Sequence, residues 1–477
     1  MAQSKSLFNL QLVLILISNL LPIISAQSET ATDVLVIGAG ASGLAAATKL
    51  KEKGVNVIVL EARDRVGGRT WTVNPKNAAG NFISIDLGAS WVHGTTGNPL
   101  VPLAKTANVA LSSKKTNYNN GEIFNSNGTP LTFAQETALE TQWSQFENFL
   151  DEQRDADYDL DNDPGLQSAV DAFIKKKELS GAALNSFKHS LITNIEHEYV
   201  GPISDLSLWY DDDSALPGGD KLVLGGYQNI FRYLAKGNIV KLNYQVAEIN
   251  YLNPATVVVK AKNKGGKIVT FSAKHVIVTL PIGVLKANVV KFTPQLPSIN
   301  RNAIAAMGSG ILNKCFLIFE NAFWGTKEEF IYYVSGKGNG AWGEWLSLEP
   351  AGGLPVLCGF NAAKYAQGLE MKSDTQVISE AMAVLRKIWP SAPNPIKSYV
   401  TKWGKDPFSR GSYSYTTPRM EFIQVHKGVG APVARGRIRF AGEHTSVKFP
   451  ATVHGAYISG QEAACAVLKD LKKNLLN

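Results

Sequence analysis

Cysteine is scarce. Cys315, Cys358 and Cys465 are the whole complement of a 477-residue chain, too small and odd a set for a disulfide framework to hold the fold, and one bridge is the most it allows. None of the three sits in a CxxC or beside a histidine at metal-ligand spacing, and no HExxH occurs, so no metal is expected. Beyond the first 26 residues no apolar run reaches the length of a membrane helix. Internal repeats and low-complexity tracts are missing as well. The formal charge is +8, yet the basic residues are scattered, and no block interleaves them with aromatics as a nucleic-acid stripe would. A solvated basic surface and no nucleic-acid partner follow. A cationic ligand would therefore have to be drawn by local carboxylates and not by the overall field.

What is present begins with a leader. Lys5 precedes an apolar stretch from Leu10 to Leu21, interrupted by Gln11, Ser18 and Asn19, and then come Pro22 and the small residues Ser25-Ala26. This pattern predicts a signal peptide over 1–26, entry into the secretory route and no integral membrane segment once it is cleaved. Cleavage removes Lys5 and no acid, lowering the charge by one. Asn127-Gly128-Thr129 is the one N-glycosylation sequon, in keeping with secretion. The destination expected is extracellular, with the cell wall or vacuole as alternatives. Hydrophobic residues make up 45% of the chain, enough for the large cores of two or three domains.

The chain is organised around residues 33–69. Val34 to Ile37 form an unbroken apolar run, as in a strand buried on both faces of a parallel sheet, and it ends in Gly38-Ala39-Gly40-Ala41-Ser42-Gly43 before a helical pattern. Gly38 permits the tight turn, Gly40 lets a pyrophosphate approach the backbone, and Gly43 lets helix pack on strand. A second strand, Val55 to Leu60, delivers Glu61 where a ribose hydroxyl needs an acceptor. The GxGxxG alone does not separate NAD from FAD. The continuation Glu61-Ala62-Arg63-Asp64-Arg65-Val66-Gly67-Gly68-Arg69 does, by adding N–H donors and a permanent positive charge near the same pyrophosphate.

Small residues in Leu87-Gly88-Ala89-Ser90-Trp91-Val92-His93 would let backbone approach a flat ring. Residues 98–200 read as largely helical, with an acidic loop near Asp155 to Pro164. Four β segments then follow, Ile239 to Tyr251, Thr256 to Ala261, Ile268 to Ser272 and His275 to Leu280, the middle ones antiparallel because their connections are short. Residues 290–420 alternate helical and β segments, and 437–468 give a strand and a helix rich in small residues. The reading is α/β: a nucleotide domain in three segments (27–95, 221–288, 426–477) interleaved with an α+β substrate domain in two (96–220, 289–425).

Taken together the motifs GAGASGLAA (38–46), EARDRVGGR (61–69), LGASWVHG (87–94), VIVTLPIGVL (276–285), Lys314, WGKDPFSRGSYSY (403–415), AGEHTS (441–446) and TVHGAYISG (452–460) resemble the flavin-containing amine oxidases, of the polyamine oxidase type, from about Asp33 to Leu468. The resemblance implies a Rossmann-like FAD-binding domain with a substrate domain, and an oxidase that removes a hydride equivalent from an amine carbon, with O2 reduced to hydrogen peroxide. Spermine or spermidine would be the substrate, and a monomer is expected. It places Lys314 as the lysine that holds a water beside flavin N5; by residue type alone Lys314 is an edge lysine with its amine in water. It places Trp403 against the flavin, Tyr413 and Thr452 as the two walls beside the substrate nitrogen, and Arg63, Arg69, Gly88, Ala89, Ser90, Trp91, Val246, Glu443 and Val453 with the cofactor. Ser412 stands where monoamine oxidases carry the cysteine bonded to FAD, so a non-covalent cofactor is expected. His93 departs from the acidic residue of some plant polyamine oxidases and Thr452 from their tyrosine, which leaves open the carbon that is oxidised. For a distant ammonium the candidates are Glu196 and Glu198, with Glu196 the closer match, while Asp211-Asp212-Asp213 reads as a solvated turn.

The competing readings are a secreted flavin oxidase of monoamines or L-amino acids, a histone-demethylase-like enzyme, a protein that keeps FAD without catalysis, and a plain NAD dehydrogenase. An amino-acid oxidase needs an arginine for the carboxylate, and Ser90-Trp91-Val92-His93 carries none. A demethylase is opposed by the leader, and the NAD reading leaves Glu61 to Arg69 and Glu443 unexplained.

Overall fold

The computed structural model describes residues 30–156, 162–209, 216–418 and 420–475. The leader, the run Asp211-Asp212-Asp213 and residues 157–161 of the acidic loop lie outside them. Val34 to Ile37 belong to the strand Thr30–Ile37, which pairs in parallel with Val57–Leu60 on one side and with Ile268–Val278 on the other. Val34 and Val36 pack into one apolar cluster and Leu35 and Ile37 into another. That alternation is what burial on both faces of a parallel strand requires. Ile239–Lys241 extends the sheet beyond Val57–Leu60 in parallel.

The two β segments expected at Ile268 to Ser272 and His275 to Leu280 are one eleven-residue strand, Ile268–Val278. Lys274 does not break it, because its ammonium reaches across to Asp33 on the neighbouring strand, 2.9 Å away. One flank of this strand is shared. Its first half pairs antiparallel with Val257–Lys262, as the short connections suggested, and its second half pairs in parallel with Ile438–Phe440. Segments far apart in the chain are thus gathered into a single eight-stranded sheet.

The helix Ala41–Lys51 lies against the helix Val453–Leu475. Small residues make this crossing close: a Cβ at Gly460 would stand 2.0 Å from the Ser42 carbonyl oxygen.

The second body is a six-stranded sheet in the order Lys397–Val400, Leu312–Ile318, Val356–Ala362, Glu344–Ser347, Phe330–Tyr333, Gly121–Phe124. The last strand falls inside the stretch read as largely helical. It is only four residues long, and pairing with Phe330–Tyr333 holds it extended where local sequence gives little signal. The helices Phe133–Ala156, Leu166–Lys176 and Gly181–Leu191 are joined through Phe146, Phe173 and Phe187, whose ring centroids are 5.0–5.2 Å apart. The three cysteines are free. Cys315 and Cys358 lie on neighbouring strands, but one faces the cluster around Trp345 and the other the cluster around Leu346, so the sheet itself separates them.

Candidate active site

A cavity of about 910 Å³ runs between the two bodies, from Gly38 and Glu61 at one end to Glu198 and Glu344 at the other. The nucleotide end is set by the turn after the first strand. Gly38 has φ +103°, and a Cβ on Gly43 would stand 1.9 Å from the Gly38 carbonyl oxygen, so both must be glycine. Gly40 differs. A Cβ there would meet no protein atom within 4 Å, and the residue lines the cavity. The helix that follows has no side-chain cap, and the buried Ser42 hydroxyl beside its start has no partner. Free N–H groups and an orphaned hydroxyl at a helix N-terminus fit a pyrophosphate.

Glu61 accepts the Ala39 N–H at 2.7 Å and the Arg63 N–H at 2.9 Å. Burial nonetheless raises its carboxyl above the ordinary value, against those two bonds and the charge of Arg63. It lines the cavity with Tyr244 and Val246, and a β-bulge interrupts the pairing at Ala247. Arg63 and Arg69 line the same wall but are engaged with protein. Arg63 makes a bidentate pair with Asp406 (2.8 Å for each bond), tying the motif at 61–69 to the loop at 403–412. Arg69 donates to the Ser412 carbonyl at 2.8 Å and to Glu443 at 3.0 Å. Glu443 also accepts from the Ser414 hydroxyl (2.6 Å) and the Ala451 N–H (3.1 Å). Burial would raise its carboxyl, but Arg69 and His444 outweigh that and hold it far below the usual range.

In the middle section, a Cβ on Gly88 would stand 1.8 Å from the Arg69 carbonyl oxygen, so the backbone of 88–91 passes this point only as glycine. Trp403 is buried, edge-on to Trp71, and its Nε1–H donates to the Leu87 carbonyl at 3.2 Å. Lys314 is not an edge lysine with its amine in water. It is buried, and Nζ donates to the Gly88 carbonyl (2.5 Å) and the Ser90 hydroxyl (2.7 Å), with the rings of Trp91, Phe316 and Phe360 5.7–5.9 Å away. Burial lowers its pKa, which suits a proton carrier. Behind it the buried Asp86 accepts from the Thr72 hydroxyl at 2.5 Å and is pushed by burial up to about 7. Ser412 bridges to the Leu312 backbone, accepting its N–H at 2.8 Å and donating to its carbonyl at 3.0 Å. Tyr413 and Thr452 both line the cavity. The tyrosine hydroxyl donates to the Glu198 carbonyl (3.0 Å), and the Thr452 hydroxyl accepts the Gly455 N–H, capping the last helix beside Val453.

At the far end the structure sets Glu196 and Glu198 apart. Glu196 accepts the Ile203 N–H at 3.1 Å and is absent from the lining, whereas Glu198 lines the cavity. A five-residue π-helical turn, Ile192–Glu196, precedes it and resets which side chains face inward. His93 also lines the cavity, its Nδ1 hydrogen-bonded to Asp220 at 2.8 Å. Asp220, Glu344 and Tyr118 were not singled out by motif reading. They reach the cavity by strand pairing and loop packing from positions with no local pattern. Among the described residues lining it, the only lysines and arginines are Arg63, Arg69 and Lys314.

The sequence profile of the family described as "Flavin containing amine oxidoreductase" matches residues 41–468. Polyamine oxidase 4 of Oryza sativa subsp. japonica is 34% identical, over 93% of this chain and 90% of that protein. Probable polyamine oxidase 4 of Arabidopsis thaliana is 33% identical, over 92% and 87%. A solved putrescine oxidase with bound putrescine has the same fold, with a TM-score of 0.72 at 21% identity over 93% of this chain and all of that one. A profile match of this extent, with relatives aligned nearly end to end, means that the chain belongs to the flavin-containing amine oxidoreductases, as an amine oxidase with FAD for its cofactor.

Proposed function

We propose that this chain is a polyamine oxidase acting on spermine or spermidine at a carbon beside a secondary nitrogen, with FAD held non-covalently. The observation that carries this reading is the charge of the substrate end: Glu198, Asp220 and Glu344 line it, and among the described residues no lysine or arginine beyond Lys314 does. A protein of net charge +8 thus offers three carboxylates to its substrate, together with the aromatic faces of Trp91, Tyr118, Phe360 and Tyr413. Such a wall favours an elongated polycation. Polyamine oxidases of rice and Arabidopsis among the relatives support the same reading.

In the overall reaction R–CH2–NH–R′ + O2 + H2O gives R–CHO + R′–NH2 + H2O2, and FAD supplies the two-electron acceptor. The chain contributes positioning and protons. Polyamine nitrogens have pKa values near that of lysine, about 10.4. The reacting one must lose its proton while the distal ones stay charged and paired with carboxylates. Lys314, its ammonium disfavoured by burial, takes and returns a proton at Nζ. Ser412 has no thiol to offer, and none of the three cysteines lines the cavity, which favours a non-covalent flavin. Passage through the secretory route is supported by the sequon: Asn127 is exposed, and its Oδ1 accepts the Thr129 hydroxyl at 2.9 Å.

The test is anaerobic mixing with spermine, spermidine, a monoamine and an L-amino acid in turn, followed in the visible flavin band. Bleaching by the polyamines, reversed by oxygen with release of peroxide, is the expected result. A bound flavin that none of the four reduces would overturn the assignment.

A further inference from the structure

Four of the cavity's residues stand in one row across the second sheet. Lys314 is paired with Phe360, Phe360 with Glu344, and Glu344 with Tyr332, each on the next strand. Directly paired residues project to the same side of a sheet, and all four line the cavity. Strands are spaced at about 4.8 Å, which puts the backbone of Glu344 about 10 Å along the row from that of Lys314. Between them Phe360 offers only an apolar face. Glu344 is not left to swing, because its Oε2 is hydrogen-bonded to Nδ1 of the buried His197 at 2.5 Å.

We infer that this row is a ruler, with Glu344 as a specificity-determining residue that binds the first ammonium beyond the reacting nitrogen and so selects the length of the carbon arm between them. The inference rests on the polyamine reading above. At ordinary bond lengths the four bonds of an extended aminopropyl arm span about 5 Å and the five of an aminobutyl arm about 6 Å. Adding a charge-assisted contact of about 2.8 Å gives roughly 8–9 Å, close to the separation in the row. Two arms in succession would overshoot it. The methylenes lie over Phe360, where an additional charge would find no partner, so the row also disfavours a nitrogen placed too early.

The test uses a homologous series of N-ethyl-α,ω-diamines, differing only in the number of carbons between the two nitrogens, and a secondary monoamine of matching length. Flavin bleaching is measured anaerobically for the wild type, Glu344→Asp and Glu344→Gln, with retention of bound flavin checked by absorbance. The wild type should peak at three or four carbons. In Glu344→Asp the carboxylate retreats by one methylene, so the peak should move one carbon longer. Glu344→Gln should lose about 10- to 100-fold in kcat/KM at the peak and flatten the series, with a smaller loss on the monoamine, which has no second charge to place. If Glu344→Gln fails to hold flavin, the shift in Glu344→Asp carries the test. A wild type that oxidises the diamines with a peak that Glu344→Asp does not move overturns the ruler and leaves the polyamine reading standing. A flavin that no diamine reduces overturns both.

Discussion

Nδ1 of His93 and Oδ2 of Asp220 lie 2.8 Å apart, 127 residues distant in sequence, on the wall of the substrate cavity. The His93 side chain is 47% exposed, on the open cavity; the surrounding protein still works against the imidazolium, but the bond to Asp220 and its charge prevail and raise the histidine above 6.5. The partner moves the other way. Burial would raise the Asp220 carboxyl, yet His93, the Gly94 N–H and the Tyr118 hydroxyl bring it from 3.8 down to about 2.

The signs fix a pH window. A raised histidine contributes stability that is full below pH 6.5 and fades as pH rises through its folded value. A depressed carboxylate contributes stability that is full above 3.8 and fades as pH falls towards about 2. The gap in Tm between wild type and Asp220→Asn should therefore be widest between about pH 4 and 6.5. Thermal melts across pH 3–9 check this, and a gap that grows above pH 8 would contradict it.

Two glycine substitutions in the same turn should fail differently. Gly43→Ala puts a methyl 1.9 Å from the Gly38 carbonyl oxygen, so the turn must move and the apoprotein should lose several kcal/mol, as overpacking against fixed backbone does. Gly40→Ala meets no protein atom within 4 Å and should cost the apoprotein no more than about 1 kcal/mol as a poorer helix cap. Its methyl instead occupies the space that a pyrophosphate needs. FAD affinity should fall at least about tenfold, a change of roughly 1.4 kcal/mol. Apoprotein melts and flavin titration separate the two cases.

Lys314→Met keeps the length of the side chain and removes its proton. Gly88 and Ser90 lose their donor, and the buried Asp86 loses the positive charge beside it and takes up a proton more readily. Flavin turnover should slow by about 10²–10⁴-fold, the usual worth of a positioned acid or base, while the dissociation constant for spermine changes little. Stopped-flow traces of the reductive and oxidative half-reactions, taken separately, would show which one needs the proton. A full rate in both would remove Lys314 from the chemistry.

The parts of this protein that were legible in sequence are those where one short segment does a whole job. Val34 to Gly43 form strand, turn and helix start in ten consecutive residues, so periodicity and glycine spacing suffice. Lys314 is legible only through the resemblance, because a lysine among strand residues reads by itself as an edge lysine with its amine in water. Asp220 and Glu344 carry no such mark. Glu344 enters the site only because Glu344–Ser347 is in register with Val356–Ala362, and register is set by pairing across the sheet, which local sequence does not encode. The continuous strand Ile268–Val278 was divided in two for a related reason: the Asp33 that receives Lys274 lies 241 residues away.

The two glutamates of Asn194-Ile195-Glu196-His197-Glu198 give the last prediction. Residues two apart on a helix point roughly 200° apart, so only one of them faces the cavity, and the π-helical turn decides which. Glu196 is committed to the Ile203 N–H, and burial raises its carboxyl in spite of that bond. Glu198 lines the cavity and adds to the rise of two phenols there, that of Tyr413 after burial and that of Tyr118 after burial and Asp220. Glu196→Gln should leave the Michaelis constant for spermine unchanged. Glu198→Gln should raise it about tenfold or more, the worth of one hydrogen bond to a charged group, with less effect on a monoamine that has no second charge to place. Steady-state kinetics on both variants decide the matter, and the reverse pattern would return Glu196 to the site and require the π-helical turn to unwind when substrate binds.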